Sequence, residues 1–138
     1  MRLELITQTT NADVIIATAV LTTASKLSPS TLFQRLKSDR KKMVDILDRI
    51  EVQHGSILDH NRLCWRLEAT EREVLEILLK HRFFSFTRLE GNKWLMSSNL
   101  RTAISYIQDY NDPFSEALMD TIPGCFATIL RKIRGRLY

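Results

Sequence analysis

The stretch from Ser56 to Ser97 narrows the folds open to this chain more than any other part of it. Asp59 stands before an apolar run and can accept from the free N–H groups of a following helix. Leu63, Cys64 and Leu67 mark one face of such a helix, which ends near Glu68. Thr70 and Glu73 have capping-box spacing and predict a second helix from Thr70 to His81. Val74, Leu75, Ile77, Leu78 and Leu79 give it a wide apolar arc; Arg72, Glu73, Glu76 and Lys80 form the polar one. After Arg82 the period drops to two. Phe84 and Phe86 alternate with Ser85 and Thr87, and Glu90-Gly91-Asn92 turns the chain into Lys93–Met96. The expected order is a short strand, two helices joined by a tight turn, and a two-stranded hairpin.

The flanks predict helices. Leu3 and Leu5 alternate in a short possible strand, and Asn11 or Asp13 can cap a helix from Ala12 to about Lys26. That helix is apolar almost all round, so it needs cover on several sides. Ser28-Pro29-Ser30 ends it and opens a helix reaching about His54, continuous or bent near Ser38, with Gly55 as its stop. Asn99 can cap a helix running to Tyr110, Asn111-Asp112-Pro113 restarts the chain, and Phe114, Ala117 and Leu118 suggest a short helix. After Pro123-Gly124, Phe126, Ile129, Leu130 and Ile133 form a last apolar stripe.

This arrangement resembles the winged helix-turn-helix superfamily. The resemblance implies a single domain, mainly α with a small β-hairpin: a winged core over about 39–97, an N-terminal helical segment over about 11–38 and a C-terminal helical extension over about 98–138. It implies a non-enzymatic DNA-binding protein, a transcriptional regulator or a replication-associated factor. The helix after the turn would read double-stranded DNA through Thr70, Arg72, Glu76 and Lys80. Asn61, Arg62 and Arg66, with Arg88, Asn92 and Lys93 around the wing, would contact the backbone. The N- and C-terminal helices would build a homodimer.

Charge leaves a second possibility open. The chain carries a formal charge of +4 with a pI near 9.3, which permits an acidic partner. Yet residues 56–97 hold seven Lys and Arg against six Asp and Glu, so the expected reader is nearly neutral. Positive charge is concentrated in an additional patch of Arg35, Lys37, Arg40, Lys41 and Lys42, and again in Arg131, Lys132, Arg134 and Arg136. Glu71, Glu73 and Glu76 crowd the start of the reader helix, where they favour the helix dipole but repel phosphate. Arg72–Glu76 and Glu76–Lys80 satisfy i,i+4 pairing without any nucleic acid. The alternative is a protein-interaction or oligomerisation adaptor. For Trp65 and Trp94 the expectation is core packing.

No motif signals catalysis. His54, His60 and His81 lack metal-ligand spacing, and phosphate-cradling glycine loops and a GxSxG elbow are missing from the sequence. No metal or cofactor is expected. The mix of 44% hydrophobic and 26% charged residues suits a folded protein. No apolar run approaches the roughly 20 residues that span a bilayer, and the start lacks a secretion signal. Cys64 and Cys125, both expected in apolar helical surroundings, fit free thiols in a reducing cytoplasm.

Overall fold

The computed structural model of the chain describes residues 1–49, 55–123 and 126. The chain forms two compact units, Met1–Gln8 with Arg62–Ile122, and Thr9–Asn61 with Pro123–Tyr138.

The first unit is built on a four-stranded antiparallel sheet: β1 (Arg2–Gln8), β2 (Arg62–Glu68), β3 (Ser85–Arg88) and β4 (Lys93–Asn99), in the order β1-β2-β4-β3. The expected helix ending near Glu68 is strand β2. Its seven residues alternate strictly: Leu63, Trp65 and Leu67 are buried, while Arg62, Cys64, Arg66 and Glu68 lie on the other face. Leu63 and Leu67 are four apart and also suit a helix, but Trp65, midway between them, decides the period. Opposite Trp65 stand Leu5 and Met96, and opposite Leu67 stand Leu3 and Trp94. With β2 a strand, no helix pair precedes the hairpin. The mainly α, winged helix-turn-helix fold is therefore replaced by a substantial sheet with helices.

The hairpin itself is as expected. Gly91 turns it at φ 59°, a left-handed conformation costly to residues bearing a Cβ. Lys93 N–H donates to the Glu90 carbonyl (3.1 Å) and Leu89 N–H to the Lys93 carbonyl (2.8 Å).

The second expected helix is also present, as α4 (Glu71–Lys80), capped by the Thr70 hydroxyl accepting from Glu73 N–H at 3.2 Å. Val74 and Ile77 form its buried side. The helices α5 (Leu100–Asp109) and α6 (Pro113–Thr121) complete the unit. Asn99 caps α5, and Asp112 forms a reciprocal capping box with Ser115 on α6. Trp65 Nε1–H donates to the Thr121 hydroxyl at 3.0 Å, so α6 covers the apolar side of the sheet. Trp94 Nε1–H donates to the Ala69 carbonyl at 2.9 Å and fixes the turn before α4.

The second unit packs α1 (Ala12–Thr22) against α2 (Pro29–Ser38), α3 (Arg40–Asp48) and a 3-10 turn at Gly55–Leu58. Asn11 starts α1 from a left-handed backbone (φ 55°) without a side-chain cap. Asp13 accepts instead from Val14 N–H at 2.9 Å. The bend expected near Ser38 is a full break, because Asp39 ends α2 and caps α3 through Lys42 N–H. Ala12, Val14, Ile16, Ala17 and Thr18 of α1 are buried, as are Leu32, Leu36, Met43 and Leu47. The last apolar stripe lies outside the described residues apart from Phe126, which is buried. Among the described residues no helix is long and apolar enough to cross a membrane.

Candidate functional site

The second unit has an open cavity of about 470 Å³, within the usual range for small-molecule sites. One wall is α1 with its C-cap, through Ile15, Thr18, Ala19, Thr22 and the cap residue Thr23; Pro29 and Phe33 of α2 and Ser56, Ile57 and His60 after α3 close it. Three threonines on a helix compete for its carbonyls, and here each donates backward: Thr18 to Val14 (2.7 Å), Thr22 to Ala19 (2.8 Å) and Thr23 to Val20 (3.0 Å). Their hydroxyl protons are therefore committed, and their lone pairs are what the cavity sees. Ser56 and His60 add the remaining polar groups to otherwise apolar walls.

The first unit has a cleft of about 440 Å³ beside the end of α4, between Glu73, Glu76 and Lys80 on one side and Tyr106, Asp112 and Phe114 on the other. Asp112 Oδ2 accepts from Lys80 Nζ at 2.8 Å and from the Tyr106 hydroxyl at 2.6 Å, and Oδ1 accepts from Ser115 N–H. Burial works to raise the Asp112 pKa, but these donors outweigh it and hold the carboxyl below its ordinary value. Lys80 is raised, first by its hydrogen bond to Asp112, and Tyr106 is raised by burial above all. Tyr110 donates to the Lys80 carbonyl at 3.2 Å, and its ring lies 5.2 Å from the ammonium. The network ties the last turn of α4 to α5 and α6.

His81 follows directly. Its N–H donates to the Ile77 carbonyl, and its ring meets Phe83 and Phe84 edge-on at 5.7 and 5.8 Å. Burial lowers its pKa against the opposing pull of Asp109, so the imidazole is neutral at pH 7. Its Nδ1 is buried without a hydrogen-bond partner. Arg82 lies 4.9 Å over the Phe83 ring.

The structure scatters the residues expected to contact DNA. Asn61 is 1% exposed, and neither end of its amide has a partner. Arg62 and Arg66 sit on β2, donating to Ser97 and pairing with Glu68. Thr70 serves as the α4 cap, Arg72 pairs with Glu76, and Lys80 with Asp112; the expected Glu76–Lys80 contact is replaced by that longer-range pair. Arg88 reaches Glu71 and the Gly91 carbonyl, the Asn92 carbonyl accepts from Ala69 N–H, and Lys93 is exposed. Arg35, Lys37, Arg40, Lys41 and Lys42 are exposed on α2 and α3. Cys64 is a free thiol, on a strand rather than the expected helix; Cys125 lies outside the described residues. Among the described residues no three His, Cys, Asp or Glu are placed to hold a metal. Spacing gave His60 and His81 no role, since it excluded them as metal ligands, and no local signal marks the threonines of α1 as a cavity wall.

Residues 4–92 match the family described as thymidylate synthase complementing protein. The chain belongs to that family. The match runs from within β1 to the hairpin turn, ahead of β4, and contains both His60 and His81. It overturns the winged-helix resemblance and, with it, the DNA-binding regulator and the adaptor. The family takes its name from an enzyme activity in nucleotide synthesis, so the non-enzymatic expectation and the double-stranded DNA partner fall too. Two solved structures share the fold, both of the flavin-dependent thymidylate synthase ThyX from Helicobacter pylori with FAD and dUMP. Their TM-scores are 0.67 and 0.70 at 12% and 13% identity, and each alignment covers 96% of this chain and 99% of that one. No curated protein matches the chain.

Proposed function

We propose that this family member binds FAD and dUMP and takes part in flavin-dependent thymidylate synthesis. The observation that carries the proposal is the family match over residues 4–92, which takes in the apolar cavity beside α1 and the His81 turn. The cavity suits a flat, largely apolar ring with acceptors and donors on one edge. Ile15, Ala19, Phe33 and Ile57 would exclude water from the ring, while Ser56, His60 and the threonine lone pairs orient its polar edge. Among the described lining residues His60 alone can carry positive charge, so the lining is matched to the ring rather than to the phosphates. When bound, a flavin supplies reversible redox chemistry that the side chains lack.

The turn after α4 offers different chemistry. Arg82 is exposed and can neutralise a phosphate, whereas the unpartnered Nδ1 of His81 beside it is buried. An exposed cation suits the phosphate-bearing nucleotide better than the ring.

Titration of the full chain with FAD, followed by flavin fluorescence and visible absorbance, tests the proposal. A saturable change is expected. Ala19→Trp, which fills the cavity, weakens it at least about tenfold, the equivalent of roughly 1.4 kcal/mol. An unchanged flavin spectrum with the wild-type chain refutes the function, and equal affinity in Ala19→Trp refutes the cavity.

A further inference from the structure

Helix α4 ends at Lys80 without the glycine that often finishes a helix. His81 leaves it in an extended conformation (φ −151°, ψ 108°). The last carbonyls of the helix therefore need partners from elsewhere. One arrives from the end of α5, where the Tyr110 hydroxyl donates to the Lys80 carbonyl at 3.2 Å. The Lys80 side chain is held from the same direction, its ammonium 2.8 Å from Asp112 Oδ2 and 5.2 Å from the centre of the Tyr110 ring. Main chain and side chain of one residue are both fixed by the corner between α5 and α6.

The same corner grips the chain again at Phe84. That residue is 3% exposed, and its ring packs edge-on against Tyr106 at 5.9 Å and Phe114 at 5.5 Å. Tyr106 in turn donates to Asp112. Between the two anchors stand His81, Arg82 and Phe83, and the exposed Arg82 guanidinium lies 4.9 Å over the Phe83 ring. A cation on a loose turn must give up its freedom when it meets a ligand; one whose flanks are already fixed gives up less. The family match ends at residue 92 and gives the α5–α6 corner no role.

On the reading that Arg82 meets the phosphate of dUMP, we infer that Tyr110 and Asp112 are positioning residues for it. They do not touch the nucleotide. Tyr110 fixes the backbone, and Asp112 the side chain, of the residue two places before Arg82, so the guanidinium is presented before the nucleotide arrives.

Tyr110→Phe tests this with the loss of one oxygen, keeping the ring that packs on Tyr106 at 4.8 Å and lies beneath the Lys80 ammonium. Asp112→Ala is less suited, because it also uncaps α6. Calorimetry on the full chain with excess FAD gives the dissociation constant of dUMP in wild type, Tyr110→Phe, Arg82→Ala and the double variant. Tyr110→Phe is expected to weaken dUMP binding about three- to tenfold, the worth of one hydrogen bond. In the Arg82→Ala background the same change should alter it less than about twofold, because nothing is left to position. A merely structural role would give equal losses in both backgrounds. Hydrogen exchange of the free chain reads the tether without any nucleotide. Amides of residues 81–84 should exchange faster in Tyr110→Phe while those of β2 and β4 keep their protection. Equal dUMP affinity in wild type and Tyr110→Phe overturns the inference and leaves the nucleotide reading standing. So does a loss that persists undiminished without Arg82. A wild type that does not bind dUMP overturns both, and unchanged exchange at residues 81–84 overturns the tether whatever dUMP does.

Discussion

Asp112→Ala gives the sharpest test of how the first unit is held together. The carboxylate has three distinct tasks. It caps α6 through Ser115 N–H, accepts the hydroxyl of Tyr106, and meets Lys80 at 2.8 Å. Losing an N-cap costs about 0.5–2 kcal/mol. The Tyr106 side chain is 1% exposed, so its hydroxyl loses its partner without gaining water, at a cost of about 1–3 kcal/mol. The ammonium of Lys80 is at the surface and returns to solvent, so it adds nothing to the sum. Together Asp112→Ala should destabilise the chain by about 3 kcal/mol, the sum of those two mid-range figures. Equilibrium urea unfolding is the assay, read as a shift in midpoint at unchanged slope. Tyr106→Phe separates the two contributions. In that background the orphaned hydroxyl no longer exists, so Asp112→Ala should cost less by about 1–2 kcal/mol, a coupling measurable in a double-mutant cycle. Coupling below about 0.5 kcal/mol, within the error of such cycles, would refute the claim that Asp112 satisfies Tyr106. Asp112→Asn, which can still cap and accept, should fall between wild type and Asp112→Ala.

Two further outcomes follow from titration and from the backbone. His81 has a pKa lowered by burial, so folding favours its neutral form; its contribution is complete above the unfolded value of about 6.5 and is lost as pH falls through the lower folded value. His81→Phe should therefore remove part of the stability loss on going from neutral to mildly acidic pH, and an unchanged slope in urea midpoints would contradict it. Asp112, also lowered, acts further down: its stabilisation is present above about pH 3.9 and fades only as pH falls through its depressed value. At Gly91, φ 59° puts the strain in the backbone, since nothing lies within 4 Å of an added Cβ. Gly91→Ala should cost about 1–2 kcal/mol and Gly91→Asn clearly less, because asparagine tolerates the left-handed region. Equal losses by thermal melting would mean that the turn relaxes.

What was legible in the sequence was local. Thr70 and Glu73 announce α4, Gly91 announces the hairpin turn, and Asp112-Pro113 announces α6, because each cue and its effect lie within one turn of chain. β2 failed for the opposite reason. Arg62–Glu68 contains both a four-residue and a two-residue apolar repeat, and the evidence that selects the second is its partners. Those are β1, some 60 residues earlier by the register Leu5↔Trp65, and β4, about 30 later by Trp65↔Met96. Pairing buries Leu63, Trp65 and Leu67 together on one face, a gain that no window of seven residues contains.

The same argument explains why charge misdirected the functional assignment. Arg72, Lys80, Arg66 and Arg88 look like a DNA-facing set when read as free cations along a helix pair and its wing. In the fold each meets an acid: Glu76, Asp112, Glu68 and Glu71. Two of those acids, Asp112 and Glu71, are brought in from other elements. The cavity was invisible for a related reason. Its main wall is threonines, an alanine and an isoleucine that are unremarkable along α1 and its cap and become a site only when the Ser56–His60 segment is laid across them. Chemistry carried by a contiguous motif can be read from a chain, whereas a lining of common residues exists only after the long-range contacts have formed. In this protein the second kind dominates. Its apolar cavity is therefore the place where binding should be measured, ahead of any cluster of basic residues.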